Sequence, residues 1–195
     1  MSLDAFLDRV FRRLPALKNS PTFAFDAWPF ADQPTKEGLG VLPGRVDVDK
    51  VAARVLDVGH YVGNVDHVVE CRLTKPATAD AVTFYERIQI PLLGGIHMEV
   101  ELRDFGVRDG FRVLAWRQLD EPTERLDPKK AARSAYNVGA WLLAPHAVGY
   151  ALSSAPRRDD VGRLKFAALT SGADAGAPAV VKGAIDGMVR WAART

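Results

Sequence analysis

Residues 84–99 read FYERIQIPLLGGIHME. Apolar and polar residues alternate on either side of a Pro/Gly breaker, which predicts two strands joined by a turn at PLLGG. Successive side chains of a strand point to opposite faces. In residues 82–90, Val82, Phe84, Glu86, Ile88 and Ile90 therefore share one face, and Thr83, Tyr85, Arg87 and Gln89 share the other. In residues 96–104, Ile96, Met98, Val100 and Leu102 form the inward set, with His97, Glu99, Glu101 and Arg103 outward. Glu86 thus falls inside an apolar face. A buried charge there is costly unless it finds a partner or takes up a proton.

Outward from this pair the same signals recur. Residues 66–75 alternate Val69, Cys71 and Leu73 with Glu70 and Arg72, which makes Cys71 a small buried apolar group. Further strand patterns fall at 110–120, 134–144, 146–155 and 163–171, separated by breakers such as VRDG and PRRDDVG. In 111–119 the predicted inward set is Phe111, Val113, Ala115, Arg117 and Leu119, so Arg117 is a second charge on an apolar face, opposite in sign to Glu86. The simplest expectation is that the two meet. The pair then either fixes strand register or anchors the polar end of a ligand. In 134–144, Tyr136 shares a face with Val138, Ala140 and Leu142, while Asn137 and Trp141 share the other. Tyr136 reads either as a donor into an interior cavity or as an ordinary amphipathic core tyrosine. Trp116 and Trp141 read as packing.

Upstream, residues 44–49 suggest a short strand, Asp49 an N-cap for a helix over 50–56, and 59–64 a second short helix. The chain closes with a predicted helix over 177–194, Pro178 in its first turn and a stripe of Val181, Ala184, Ile185, Met188, Trp191 and Ala192. At the other end, Leu3, Phe6, Leu7, Val10 and Leu14 recur at helical spacing over 3–17. That helix either packs on the body or touches a membrane surface, and the acids Asp4 and Asp8 favour packing. Residues 18–44 hold Phe23, Phe25, Trp28 and Phe30 among prolines and glycines, which suggests an irregular arm that packs on something. Residues 1–40 read as an extension of helix and arm, and 41–195 as the main domain. A run of antiparallel strands with helices segregated to one side is the α+β class.

Composition narrows the function. The 195 residues are 48% hydrophobic and 26% charged, as in an ordinary globular domain. A formal charge of +2 does not supply the basic face that nucleic acid requires. The single cysteine excludes an internal disulfide and fits a reducing compartment. The longest weakly polar run, 138–152, is broken by Pro145 and His146, and the arginines inside the first apolar pattern are unlike a secretory signal. A cytoplasmic location is the expectation. His60, His67, His97 and His146 make no metal spacing, GLGVLPG at 38–44 lacks the spacing of a phosphate loop, and no nucleophile elbow occurs. Neither metal nor cofactor is expected.

The stretches VDVDKVAARVLDVGHYVGNVDHVVECRL, IPLLGGIHMEVELRD, GAWLLAP with its following strand, and AVVKGAIDGMVRWAAR resemble the START-like (SRPBCC, Bet v 1-like) helix-grip superfamily over about residues 40–195. The resemblance implies a curved seven-stranded antiparallel sheet gripping the C-terminal helix, with two short helices after the first strand. It also implies a deep, mainly apolar cavity between sheet and helix. Members bind lipids, sterols, quinones or polyketides; some transfer them, and some catalyse cyclisation or dehydration. The candidate ligand-binding residues are then Phe84, Glu86, Ile88, Met98, Val100, Val113, Arg117, Tyr136, Met188 and Trp191. Entry would need movement of the PLLGG turn or of the aromatic arm. Binding of a hydrophobic small molecule is the leading expectation. A cyclase- or dehydratase-like enzyme using Glu86 is the alternative, and a protein-docking module using the arm is a third class. Arg157, Arg158, Arg163 and Lys165 read as a solvated loop or as a transient contact with anionic headgroups.

Overall fold

The computed structural model describes residues 2–30, 33–90 and 94–194, with only the backbone described at 90, 171, 173 and 174. Helix α1 (Leu3–Leu17) is followed by β1 (Ala24–Trp28), β2 (Glu37–Pro43) and α2 (Val48–Leu56). After a 3-10 turn at Val58–His60 come β3 (Val68–Leu73), β4 (Ala81–Ile90), β5 (Gly94–Arg108), β6 (Phe111–Gln118), β7 (Ala132–Ala144) and β8 (Ala147–Pro156). The short α3 (Arg158–Val161) and the long α4 (Arg163–Ala192) complete the chain. The strands form one curved, unclosed sheet in the order β1-β2-β8-β7-β6-β5-β4-β3. Its consecutive hairpins set Glu86 opposite Met98, Leu102 opposite Trp116, Trp116 opposite Gly139 and Trp141 opposite Tyr150.

The sheet therefore has eight strands, not seven. The residues expected to form an irregular arm supply β1 and β2, and β2 pairs with β8 through Gly40 and Tyr150. Prolines and glycines around short aromatic runs hid two strands that join the sheet only through the long-range pairing of β2 with β8. The expected strand at 44–49 is irregular chain instead. Asp47, not Asp49, caps α2 by accepting from the backbone N–H of Lys50 at 3.1 Å. The second short helix shrinks to the 3-10 turn.

The largest correction lies at 163–171, which is helical. Helix α4 runs 30 residues and starts after Gly162, whose φ of 77° is open to glycine. Alternation over RLKFAAL mimics a strand, but Leu, Lys, Arg and Ala are strong helix formers. Pro178 sits mid-helix, where it removes one backbone hydrogen bond.

Both faces of the sheet are covered. On one side Phe84, Met98, Val100, Leu102, Leu114 and Trp141 pack towards α2 and the second half of α4, through Val181, Ile185, Met188 and Trp191. On the other, Phe6, Leu7, Val10, Phe11, Leu14 and Leu17 of α1 pack on Leu39, Val41, Phe111, Val113, Ala115, Val138, Ala140 and Leu142. This is the amphipathic stripe of α1 finding its surface. A further layer covers the outward residues of β5. Glu99 is fully buried and accepts hydrogen bonds from Thr74 Oγ1, Thr123 Oγ1 and the backbone N–H groups of Thr123 and Glu124. Burial pushes its carboxyl up, and these bonds outweigh that and hold it below the usual carboxylate range. His97, also expected to face outward, is 1% exposed beside the Tyr85 hydroxyl at 3.2 Å. Among the described residues no helix is long and apolar enough to cross a membrane.

Candidate functional site

Between the sheet and α4 lies a cavity of about 650 Å³, within the size range of small-molecule sites. Alternation along β4 sends Phe84, Glu86 and Ile88 into it, and β5 adds Ile96, Val100 and Leu102. From the far side of the sheet come Trp116, Asn137, Trp141, Tyr150 and Ser154. The wall supplied by α4 includes many small residues, among them Gly172, Gly176, Ala177, Gly183, Ala184 and Gly187, alongside the larger Leu169, Val180, Val181 and Met188.

Three aromatic rings form one continuous surface. The Tyr150 ring lies 4.4 Å from that of Trp141 at 57°, and 5.5 Å from that of Trp116 at 35°. Trp116 Nε1 donates to Asn137 Oδ1 at 2.6 Å, and Asn137 Nδ2 donates to Ser154 Oγ at 3.2 Å. Close by, the Tyr61 hydroxyl donates to the Val55 carbonyl at 2.5 Å, while its ring meets Phe84 and Trp191 edge to face.

Glu86 is the carboxylate that β4 places in the apolar part of this wall. It makes no hydrogen bond or ion pair among the described residues, is partly buried and lines the cavity. Burial alone raises its pKa to about 7. Burial also pushes up the Tyr61 and Tyr150 phenols and the Cys71 thiol, and the Glu86 charge pushes each further.

The expected partner is elsewhere. Arg117 is 40% exposed, pairs with Asp120 at 3.4 Å and sits opposite Glu101 and Val138 in register. Val113 lies with Phe111 and Ala115 under α1. The reason is that β6 is apolar on both faces: Leu114 and Trp116 take the cavity side, and α1 claims the alternate set. Tyr136 likewise stands off the cavity, with its hydroxyl against the Thr35 hydroxyl and its ring edge on Phe30. Its apolar companions Val138, Ala140 and Leu142 face α1, and Asn137 takes the cavity position. Of the other sequence candidates, Phe84, Glu86, Ile88, Val100 and Met188 line the cavity, while Met98 and Trp191 are buried in the core beside it. Tyr61, Asn137 and Tyr150 were missed. The signal for Tyr150 exists in β8, where Val148, Tyr150 and Leu152 alternate with the small residues Ala147, Gly149 and Ala151.

The expected entrance at PLLGG has its residues 91–93 outside the described residues. The first half of α4 does border the cavity, through Leu169, Thr170, Gly172, Gly176 and Ala177, while Leu164 near its start is 89% exposed. No group of three His, Cys, Asp or Glu able to hold a metal occurs among the described residues.

No protein-family model matches the chain, and no curated relative does. Solved structures do match. A STAR-related lipid transfer protein fragment from Xanthomonas axonopodis aligns over 90% of this chain and 96% of its own, with a TM-score of 0.73 at 14% identity. Human StAR-related lipid transfer protein 5 aligns over 96% and 95%, with a TM-score of 0.71 at 11% identity. The Zhui aromatase/cyclase from Streptomyces sp. R1128 aligns over 88% and 94%, with a TM-score of 0.56 at 12% identity. The chain has the START-like helix-grip fold.

Proposed function

We propose that the protein binds and carries a hydrophobic small molecule of the lipid, sterol, quinone or polyketide kind in the cavity between its sheet and α4. The observation that carries this reading is the cavity of about 650 Å³, lined mainly by apolar and aromatic side chains with a few placed polar groups. Lipid-transfer proteins among the structural neighbours support it by shared fold. Loading would proceed by displacement of the first half of α4, which is largely exposed and is separated from the embedded half by Pro178. Native mass spectrometry of freshly purified protein, with analysis of its organic extract, tests the proposal. The expected result is a co-purifying apolar compound, or uptake of an added one. A protein that takes up no apolar compound in either experiment would overturn it.

A second reading has its own observation. Without an arginine partner, Glu86 keeps a pKa of about 7, which suits a general acid or base near neutral pH. An aromatase/cyclase shares the fold. On this reading Glu86→Gln abolishes turnover of a polyketide substrate and leaves its binding intact. Unchanged turnover removes the catalytic role.

A further inference from the structure

We propose that the cavity is built for a hydrophobic amine, its ammonium group seated on the Glu86 carboxylate and its apolar body along the wall of Tyr150, Trp116 and Trp141. This rests on the carrier reading above and names its ligand class.

An ionised carboxylate is an acceptor only and needs donors. The nearby arginines are engaged elsewhere: Arg117 with Asp120, Arg87 with Glu70, and Arg72 with Glu70 and Glu124. The Tyr61 hydroxyl is given to the Val55 carbonyl, and Trp116 Nε1 to Asn137. The protein has therefore placed an acceptor in an apolar chamber and given the Tyr61, Trp116 and arginine donors to other groups, leaving the neutral Tyr150 hydroxyl as a single uncharged donor bordering the same space. A ligand that brings its own donors completes the site. An ammonium brings several N–H donors and the opposite charge, whereas an alcohol brings one donor and no charge. A fatty carboxylate brings a like charge and is disfavoured.

The surroundings agree. The Tyr150 hydroxyl has no hydrogen-bond partner among the described residues, and the Tyr150 phenol feels the Glu86 charge, so the two groups border the same space. It can accept from the same ammonium. The aromatic faces beside it attract a cation through their quadrupoles.

The titratable groups that feel Glu86 are Tyr61, at the end of the 3-10 turn, Cys71 on β3 and Tyr150 on β8, all held neutral at ordinary pH. Lys36, Asp66 and His67 also line the cavity, and α4 contributes no charged side chain to its lining. Because the Glu86 pKa is about 7 in the empty cavity, amine affinity should fall as the carboxyl takes up a proton below that value.

The test is calorimetric titration of delipidated full-length protein with dodecylamine, dodecanol and dodecanoate. At about pH 8 the amine should bind about tenfold or more tightly than the alcohol, the increment of a charge-assisted hydrogen bond, and dodecanoate should bind most weakly. In wild-type protein the amine preference should shrink from about pH 8 to about pH 5, with the alcohol little changed. Glu86→Gln should bring amine and alcohol to equal affinity and remove that pH dependence. Equal binding of amine and alcohol to the wild type, or a preference retained by Glu86→Gln, overturns the amine assignment and leaves the carrier reading standing. Binding of none of the three probes overturns both. The wild-type pH series decides the matter even where the variant folds poorly.

Discussion

At Glu86 the chain holds a carboxyl group where water would solvate it better. Its pKa rises from an ordinary 4.5 to about 7 through burial. Between these values the folded protein keeps a proton that the unfolded chain has lost, so stability falls as pH rises through that window. Above about pH 7 both states are ionised and the cost is constant, on the order of 3 kcal/mol for a shift of this size. Thermal melts of the ligand-free protein should therefore weaken from acidic to neutral pH through this group. Glu86→Gln should remove that component and be the more stable protein above neutrality; identical pH profiles would contradict it. The position was legible in the sequence because strand alternation is strict over β4 and only one acid breaks it. Its supposed partner was not legible. Phe111, Val113 and Ala115 are as apolar as a cavity wall because α1 covers them, and alternation alone does not say which covering element an apolar face meets.

At the scale of elements, α1 is joined to the sheet by a buried polar contact inside an apolar interface. Glu37 at the start of β2 is fully buried, and Arg9 of α1 grips it with three bonds of 2.6–3.1 Å while Trp28 Nε1 donates to its second oxygen. The Arg9 guanidinium also lies 5.0 Å from the centre of the Phe30 ring. Removing one member of a buried pair leaves the other without compensation. Arg9→Met should cost about 3 kcal/mol in urea denaturation, and Arg9→Met with Glu37→Leu should recover much of it. Additive losses in the double variant would show that the pair acts independently. The helical stripe of α1 was readable from spacing, but β1 and β2 were not. β2 joins the sheet only through β8, far along the chain, β1 pairs only with β2, and Pro- and Gly-rich flanks carry the local signal of a loop. In α4 the error ran the other way. The expected strand at 163–171 and a helix starting at 177, with Pro178 in its first turn, are one continuous helix whose second half is anchored in the core.

For the molecule as a whole, one sheet serves two interiors, a packed one under α1 and a partly empty one under α4. The empty side is the one that a ligand can stabilise. A compound that binds only the folded state, present at about 100 times its Kd, should add about 2.7 kcal/mol. A concentration-dependent rise in Tm is the expected readout for any true occupant, and a flat response marks a non-binder.

The small residues of α4 carry one more consequence. Alanine in place of Gly176 would meet nothing within 4 Å, and at Gly183 and Gly187 the nearest atoms stand at 4.0 and 3.9 Å. Glycine in a helix interior is less favourable than alanine by about 1 kcal/mol. Each Gly→Ala change at these cavity-lining sites should therefore raise Tm while shortening the longest ligand accepted. The helix forgoes rigidity it could have had, one methyl at a time. The capacity of the chamber is then a dial set by absent methyl groups, which selection or a designer can turn without touching the sheet.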